Sequence, residues 1–422
     1  MQAASGGEHT SYRRSWANLG VDGAAGADNA LALDGVDLWW IELPFVRPVG
    51  TAVGVHTVRP LILVRLRCSR IVDGAEVFGW GECAALGDTT YDTEDVSSVF
   101  ATLESTLIPS LLSGSAEGDG ALPSIRELGP ILAASLGTPL AAAAMEMAVA
   151  DAHLRASGRS CADLIGVAGA RVEPGAVLGI PESAEQLLAS VESLAAAGYV
   201  RVKVKVAPGT EFDTVSALAQ WSATHAGATP RFQVDANGSY RPDQADLLVR
   251  LDPFGLLCIE QPFDRDDLDS HRALASRMTT PICLDESLDG PEPVVEAVTS
   301  GACSVACVKP ARLGGIDAAL EVIEWCTANM VPWWIGGMFE SGYGRRVTTA
   351  LGALPGLRLP GDLAPPESYL ALDLVDPQAA SMDTGSGRLA IDVSDVPGMG
   401  PLPDPDVLEA CIVDRRTFGD QP

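Results

Sequence analysis

Three short apolar runs end in an acidic residue at one repeated interval: Phe232-Gln-Val-Asp235, Leu256-Leu-Cys-Ile-Glu260 and Ile282-Cys-Leu-Asp285. The gaps are 260 − 235 = 25 and 285 − 260 = 25. Two further runs extend the series. Val202-Lys-Val-Lys-Val206 carries Lys205, 235 − 205 = 30 residues before the first acid, and Val305-Ala-Cys-Val-Lys309 ends 309 − 285 = 24 residues after the last. Such a period accommodates one strand, one helix and two loops. It predicts a parallel β/α barrel with functional side chains at the carboxyl ends of successive strands. Strands are expected at about 176–180 and 200–206, then ending at Asp235, Glu260, Asp285 and Lys309, then near 331–335 and 357–359. Helices are expected between them, at 211–224, 242–251, 291–299 and 316–329.

The residue types at those ends set the chemistry. Strand periodicity places Lys203 and Lys205 on one face and the flanking valines on the other. In a barrel strand the valines suit the helix layer, so both lysines point into the lumen. Two inward ammonium groups repel, and a nearby metal adds to that, which favours the neutral form of one lysine as a general base. Three carboxylates at equivalent strand ends also repel, and a divalent cation offsets the repulsion. Oxygen ligands favour Mg²⁺, with Mn²⁺ as the substitute. Asp235, Glu260 and Asp285 are therefore the expected metal ligands. Lys309, across the lumen, is the expected second acid/base or a cation that stabilises an intermediate. None of the five histidines falls at an assigned strand end.

Outside the barrel the reading is coarser. Residues 1–35, rich in Gly, Ala, Ser and Asp, read as a disordered tail. Residues 36–170 read as an α+β capping domain, with strands at 37–43, 61–67 and 77–82 and a helix over 95–112. A linking helix over 138–153 has Thr138 as expected N-cap and Pro139 in its first turn. The barrel occupies 171–369, and 370–422 reads as a loop-like, Pro-rich segment packing back on the capping domain.

The chain carries 28 basic against 56 acidic residues, a formal charge of −28. That disfavours nucleic acid and anionic membranes as partners, both of which need basic side chains. No apolar stretch approaches the roughly 20 residues of a membrane span, and the start has no charged n-region followed by an apolar one. A cytoplasmic location is expected, with a homo-oligomer left open. The nine cysteines have no paired CxxC spacing and read as buried, reduced thiols, not disulfides or a zinc site.

The ordered set Lys203-x-Lys205, Asp235-Ala-Asn237, Glu260-Gln-Pro262, Asp285-Glu-Ser287 and Lys309-Pro310 resembles the enolase superfamily, muconate-cycloisomerase-like subgroup. The likeness runs from about residue 37 to about 370. Gly336-Gly-Met-Phe-Glu-Ser-Gly342 with Gly344-Arg345 is similar to the strand-seven loop of the o-succinylbenzoate synthases, which include N-acylamino acid racemases. Glu42 to Gly50 and Gly79-Trp-Gly-Glu-Cys83 resemble their capping-domain loops, and Arg358-Leu-Pro-Gly-Asp362 their strand eight. Phe339 departs from the leucine more usual there.

The resemblance implies a capping domain over a modified barrel, with Mg²⁺ on Asp235, Glu260 and Asp285. It also implies abstraction of a proton α to a carboxylate by a lysine, the general pattern of that superfamily. Lys205 is the implied base, Lys309 its counterpart and Lys203 a tuner of Lys205. Asn237, Gly336, Gly337, Met338, Glu340 and Ser341 are the implied contacts to a small-molecule carboxylate substrate. The first reading is o-succinylbenzoate synthesis, a step toward menaquinone, and the alternative is racemisation of an N-acylamino acid. Dipeptide epimerase, cycloisomerase and a non-catalytic barrel binding protein remain open.

Overall fold

The computed structural model of the protein describes residues 29–51, 54–117, 120–133, 137–225, 230–356 and 359–419. The chain opens with three long strands, β1 (Leu31–Thr51), β2 (Gly54–Arg70) and β3 (Glu76–Cys83). Residues 1–28 of the expected tail lie outside the described residues, but the tail does not extend to residue 35. Leu31, Ala32 and Leu33 already pair with Arg70, Ser69 and Cys68 of β2. Leu31 and Val36 are buried, and that apolar burial carries the strand into the stretch the composition marked as tail.

A continuous helical run, Val96–Ser115, follows; it is 20 residues long and, by length and composition, apolar enough to cross a membrane. That corrects the expectation that no such stretch exists. Its buried residues Val96, Val99, Phe100, Leu103 and Leu107 recur at helical spacing and belong to the core, as in a helix laid on a sheet.

The Pro139–Ala156 helix links the two halves, and every residue from Leu140 to Leu154 is buried. Its small side chains admit β3 at close range. A Cβ on Gly79 would sit 2.4 Å from the Ala148 carbonyl oxygen, and one on Gly81 2.0 Å from that of Ala144. The Gly-Trp-Gly spacing is thus required by backbone contact. Thr138 makes no side-chain cap bond. The Leu140 N–H instead donates to Glu94 Oε2 at 2.8 Å, so a carboxylate from the preceding loop satisfies the helix start.

After β4 (Arg171–Val172) come the barrel strands: β5 (Ala176–Leu178), β6 (Arg201–Lys205), β7 (Arg231–Asp235), β8 (Ile259–Glu260), β9 (Ile282–Leu284), β10 (Val305–Val308) and β11 (Trp333–Ile335). They form one parallel sheet in the order β11-β10-β9-β8-β7-β6-β5. The α-helices between them span Ala184–Ala196, Glu211–Thr224, Ala245–Val249, Leu268–Ala275, Pro291–Thr299 and Ile316–Ala328. No eighth strand forms among the described residues. Residues 357–358 lie outside them, and Leu359 is not in a strand. The neighbouring backbone closes the sheet instead: Asp362 N–H donates to the Ile335 carbonyl at 2.9 Å, and Gly175 N–H to the Gly361 carbonyl at 2.7 Å.

The C-terminal segment is more ordered than its prolines suggest. It forms β12 (Ala380–Met382), β13 (Leu389–Asp392), a helix over Pro405–Cys411 and β14 (Ile412–Gly419). β12 and β13 join β4 in a small sheet, and β14 completes an antiparallel sheet ordered β14-β1-β2-β3. All nine cysteines are free and buried.

Candidate active site

Register decides which side chains meet. Lys205 pairs with Asp235, and Asp235 with Glu260. Val202, Val204, Val234 and Ile259 are buried in the main core, while the alternate positions of β6 to β8 turn to the lumen. Arg201, Lys203 and Gln233 lie there fully or almost fully buried. The strand ends therefore gather buried charge, which must be paired or neutralised.

Lys203 is paired. Its Nζ lies 2.6 Å from Asp362 Oδ2, 3.0 Å from Glu260 Oε2 and 3.6 Å from Asp235 Oδ2. Burial alone would lower its pKa; Asp362, Glu260 and Asp235 outweigh that and hold the ammonium well above its ordinary value. The expected repulsion between Lys203 and Lys205 is thus not what governs Lys203, because three carboxylates claim its charge. Burial also opposes ionisation of Asp362, but Lys203 and Arg201 overcome it and keep that carboxyl well below the usual range. Lys205 Nζ donates to Asn237 Oδ1 at 2.6 Å. Asn237 in turn donates through Nδ2 to Glu286 Oε1 at 3.0 Å, from a left-handed backbone with φ +42°.

Across the lumen, Lys309 Nζ lies 2.7 Å from Asp285 Oδ2 and bonds the Tyr91 hydroxyl. Tyr91 O–H donates to the same Asp285 oxygen at 2.8 Å. Burial would lower Lys309, but Asp285 outweighs it and the pKa stands well above its ordinary value. Arg312 braces the β9 end: it donates to the backbone carbonyls of Asp285 and Glu286 at 2.7 and 2.8 Å and pairs with Asp92 at 2.6 Å.

Burial opposes ionisation of Asp285, but Lys309 and Arg312 outweigh it and hold that carboxyl below its ordinary value, whereas Glu260 and Glu286 remain under strain. Burial pushes Glu260 up to about 8, with Asp235 adding to the rise and Lys203 opposing it. Burial and Asp285 push Glu286 up to about 7. Asp285 Oδ1 is buried and has no hydrogen-bond partner, with Arg312 Nη1 as a charged neighbour at 3.6 Å. A buried, unsatisfied carboxylate oxygen beside two further acids is an environment that a cation relieves. Among the described residues, the donors that converge differ from the expected trio. Glu260, Asp285 and Cys307 each bring a ligand atom within 4.8 Å of the others. Asp235 stands outside that set, its Oδ1 taken by the Asn237 N–H at 3.0 Å and its Oδ2 facing Lys203.

The loop after β11 is spoken for by protein. A Cβ on Gly336 would lie 2.6 Å from Cys307 Sγ and 2.7 Å from Lys309 Cε, and one on Gly337 2.7 Å from the Asp362 carbonyl. These glycines let the loop press on the Lys309 stem; the space they leave is filled by the protein, not held open for a substrate. Ser341 donates through N and Oγ to Glu82, and Glu340 pairs with Arg345 at 2.7 Å. Their polar groups anchor the capping domain and the loop. Arg59 strengthens that joint, donating to the Met338 and Phe339 carbonyls at 2.9 and 3.1 Å. Met338 and Glu340 line a cavity of about 50 Å³ that reaches Lys309. The two stretches likened to capping-domain loops lie largely within β1 and β3, with the β1–β2 register broken between Pro44 and Val49.

Asp362, Glu286, Arg312 and Tyr91 carried no assigned role in the sequence reading. Glu286 sits inside the Asp-Glu-Ser motif, and Arg312 lies three residues past Lys309. Tyr91 has no period or motif to mark it.

Comparison with known proteins accords with this geometry. Residues 186–407 match the enolase C-terminal domain-like family, and residues 39–166 the N-terminal domain of mandelate racemase / muconate lactonizing enzyme. The chain belongs to the enolase superfamily, as an enzyme with a TIM-like barrel and a capping domain. Within it, the chain is 38% identical to the N-succinylamino acid racemase of Amycolatopsis sp, covering 90% of this chain and 97% of that one. It is 32% identical to the o-succinylbenzoate synthase of Geobacillus kaustophilus, over 88% and 93%. A crystal structure of an enolase superfamily member from Listeria innocua superposes with a TM-score of 0.82 at 29% identity, over 92% of this chain and 99% of that one.

Proposed function

We propose that this protein removes the proton α to the carboxylate of a small cytoplasmic substrate, and that its reaction is the dehydration carried out by o-succinylbenzoate synthases. The observation that carries the proposal is the placement of two lysines about a buried carboxylate cluster. Lys205 ends β6 and Lys309 directly follows β10, and between these strands in the sheet lie β7 and β8, ending in Asp235 and Glu260, and β9, directly followed by Asp285. Asp235, Glu260 and Asp285 would hold Mg²⁺, or Mn²⁺ in its place. When bound, the ion supplies positive charge that stabilises the enediolate formed as the proton leaves. The Asp285 oxygen without a hydrogen bond and the raised Glu260 support a cation there.

Lys205 Nζ takes the α-proton, with Asn237 orienting it, and then returns the proton to the departing hydroxide. Lys309, kept protonated by Asp285, is suited to stabilise the negative charge of the intermediate. Lys203 stays a structural cation between Asp362 and Glu260 and tunes the field at Lys205. Asn237 touches Lys205 directly; Gly336, Gly337, Met338, Glu340 and Ser341 shape the wall around Lys309.

Racemisation of an N-succinylamino acid uses the same two lysines, with Lys309 returning a proton to the opposite face. The 38% identity to the Amycolatopsis racemase favours keeping it as the second reading. Proton NMR in D₂O with Mg²⁺, run on the cyclohexadiene precursor of o-succinylbenzoate and on an N-succinyl amino acid, separates the two. Rapid aromatisation with little α-deuteration is the expected result. Fast α-deuteration without aromatic product would transfer the assignment to the racemase, and neither reaction would overturn both.

A further inference from the structure

The lumen holds a donor that the proposed chemistry leaves unused. Cys258, Cys283, Cys307, Val305 and Trp334 form a small buried cluster of their own. Of the three thiols, Cys307 is the one grouped with the carboxylates. Register explains why. Val305 pairs with Cys283, so Cys307, two residues on, stands level with Asp285; Glu260 also pairs with Cys283, from the other side. Any side chain at position 336 would crowd this thiol, since a Cβ on Gly336 would lie 2.6 Å from Cys307 Sγ. Lys309 and Tyr91 both engage Asp285 Oδ2, while the buried Oδ1 has no hydrogen-bond partner and makes a longer ion-pair contact, 3.6 Å from Arg312 Nη1.

Two carboxylates and one sulfur make a mixed donor set. Oxygen ligands alone suit Mg²⁺ and Mn²⁺, whereas a thiolate selects softer ions. We propose that Glu260, Asp285 and Cys307 form a thiophilic cation site, distinct in composition from the three-carboxylate set, that captures a soft divalent ion such as Cd²⁺ or Zn²⁺. Capture replaces the Cys307 S–H bond with a sulfur–metal bond and releases one proton to the buffer; nothing is oxidised or reduced. The captured ion withdraws Glu260 and Asp285 from the oxygen set, so it displaces Mg²⁺ and inhibits. Sulfur binding stands on the geometry alone; the competition rests on the reading of Glu260 and Asp285 as Mg²⁺ ligands.

The test is titration of the chelator-treated full-length protein with CdCl₂, followed by the ultraviolet thiolate-to-cadmium charge-transfer band. The band should saturate at one equivalent in the parent and in Cys68→Ser. In Cys307→Ser it should vanish, or Cd²⁺ affinity should fall by about tenfold or more, the scale that loss of a supporting ligand produces. A band of unchanged strength and affinity in Cys307→Ser, or no band in the parent, overturns the site. X-ray absorption of the Cd²⁺-loaded parent needs no variant: sulfur together with oxygen scatterers supports the site, and oxygen alone overturns it. Calorimetry with Mg²⁺ separates the two claims. Mg²⁺ binding without a cadmium band sinks the soft-ion site and leaves the oxygen set standing. A Cys307-dependent band in a protein that binds no Mg²⁺ supports the soft-ion site and sinks the oxygen set.

Discussion

The capping sheet and the barrel rim bury comparable depths of chain in opposite ways. In the middle of β2, Leu61, Ile62, Leu63 and Val64 are wholly buried, and their contacts are apolar. At the rim, Lys203, Asp235, Glu260, Asp285, Lys309 and Asp362 are buried almost as deeply, and they are charged. Apolar burial stabilises in proportion to area removed from water, whereas buried charge repays its desolvation only through good pairing. Backbone strain follows the same division. Of the non-glycine residues with positive φ among the described residues, Asn237, Gln261 and Phe339 lie just past barrel strand ends; Met330 alone is elsewhere. The cap and barrel walls supply stability, and the rim draws on it to hold a charged, strained constellation.

The contrast can be broken most forcefully at Lys203. Replacing it with Met leaves Asp235, Glu260 and Asp362 without their shared cation, and removing one partner of a buried ion cluster costs about 3–5 kcal/mol. Urea denaturation of the chelator-treated protein should show that loss; an unchanged midpoint would mean the rim is not held by this ion cluster. Leu63→Ala in β2 should cost about 2–5 kcal/mol by leaving a cavity, while turnover per folded molecule stays within a few-fold. A large fall in turnover without loss of stability would erase the division between the two regions.

A third test lies at the joint. Burial pushes Glu82 from an ordinary 4.5 up to about 7, with Ser341 opposing the rise. The folded chain therefore holds more protons than the unfolded one between those values. Stability should fall as pH rises from 4.5 to about 7, by about 3 kcal/mol in total from this group, and level off above. Glu82→Gln should flatten that part of the thermal-melting profile against pH, and an unaltered profile would contradict the assignment. The smallest expected effect is at Met330, exposed and at φ +56°. Met330→Gly removes strain that serves no rim contact and should stabilise by about 1 kcal/mol in chemical denaturation.

What the sequence disclosed follows the same physics. The barrel strands and Lys203, Lys205, Asp235, Glu260, Asp285 and Lys309 were legible because strand period and repeat length are local quantities. Closure of the barrel was not: Gly361 and Asp362 bond both sheet edges as irregular backbone, which has no period to read. The capping contacts were equally hidden. Tyr91 reaches Asp285 across 285 − 91 = 194 residues, and Glu94 caps a helix that Thr138 was expected to cap. The glycines of the 336–337 loop were visible, but their reason, contact with Lys309 and Asp362, is tertiary. Cys307 joins Glu260 and Asp285 only through the register of three strands, so no cysteine spacing could announce it.

The central claim is that Lys205 moves the proton α to a carboxylate, with Lys309 as the cation across the lumen, while the rest of the rim holds both. The most direct measurement is deuterium wash-in at the α-carbon of an N-succinyl amino acid in D₂O, followed by NMR for the parent, Lys205→Ala and Lys309→Ala, with Mg²⁺ calorimetry on each. The account predicts slow but measurable exchange in the parent. Lys205→Ala should lose about 10²–10⁴-fold, the usual contribution of a positioned base, while still binding Mg²⁺. Exchange at the parental rate in Lys205→Ala, in a protein that still binds Mg²⁺, would contradict it.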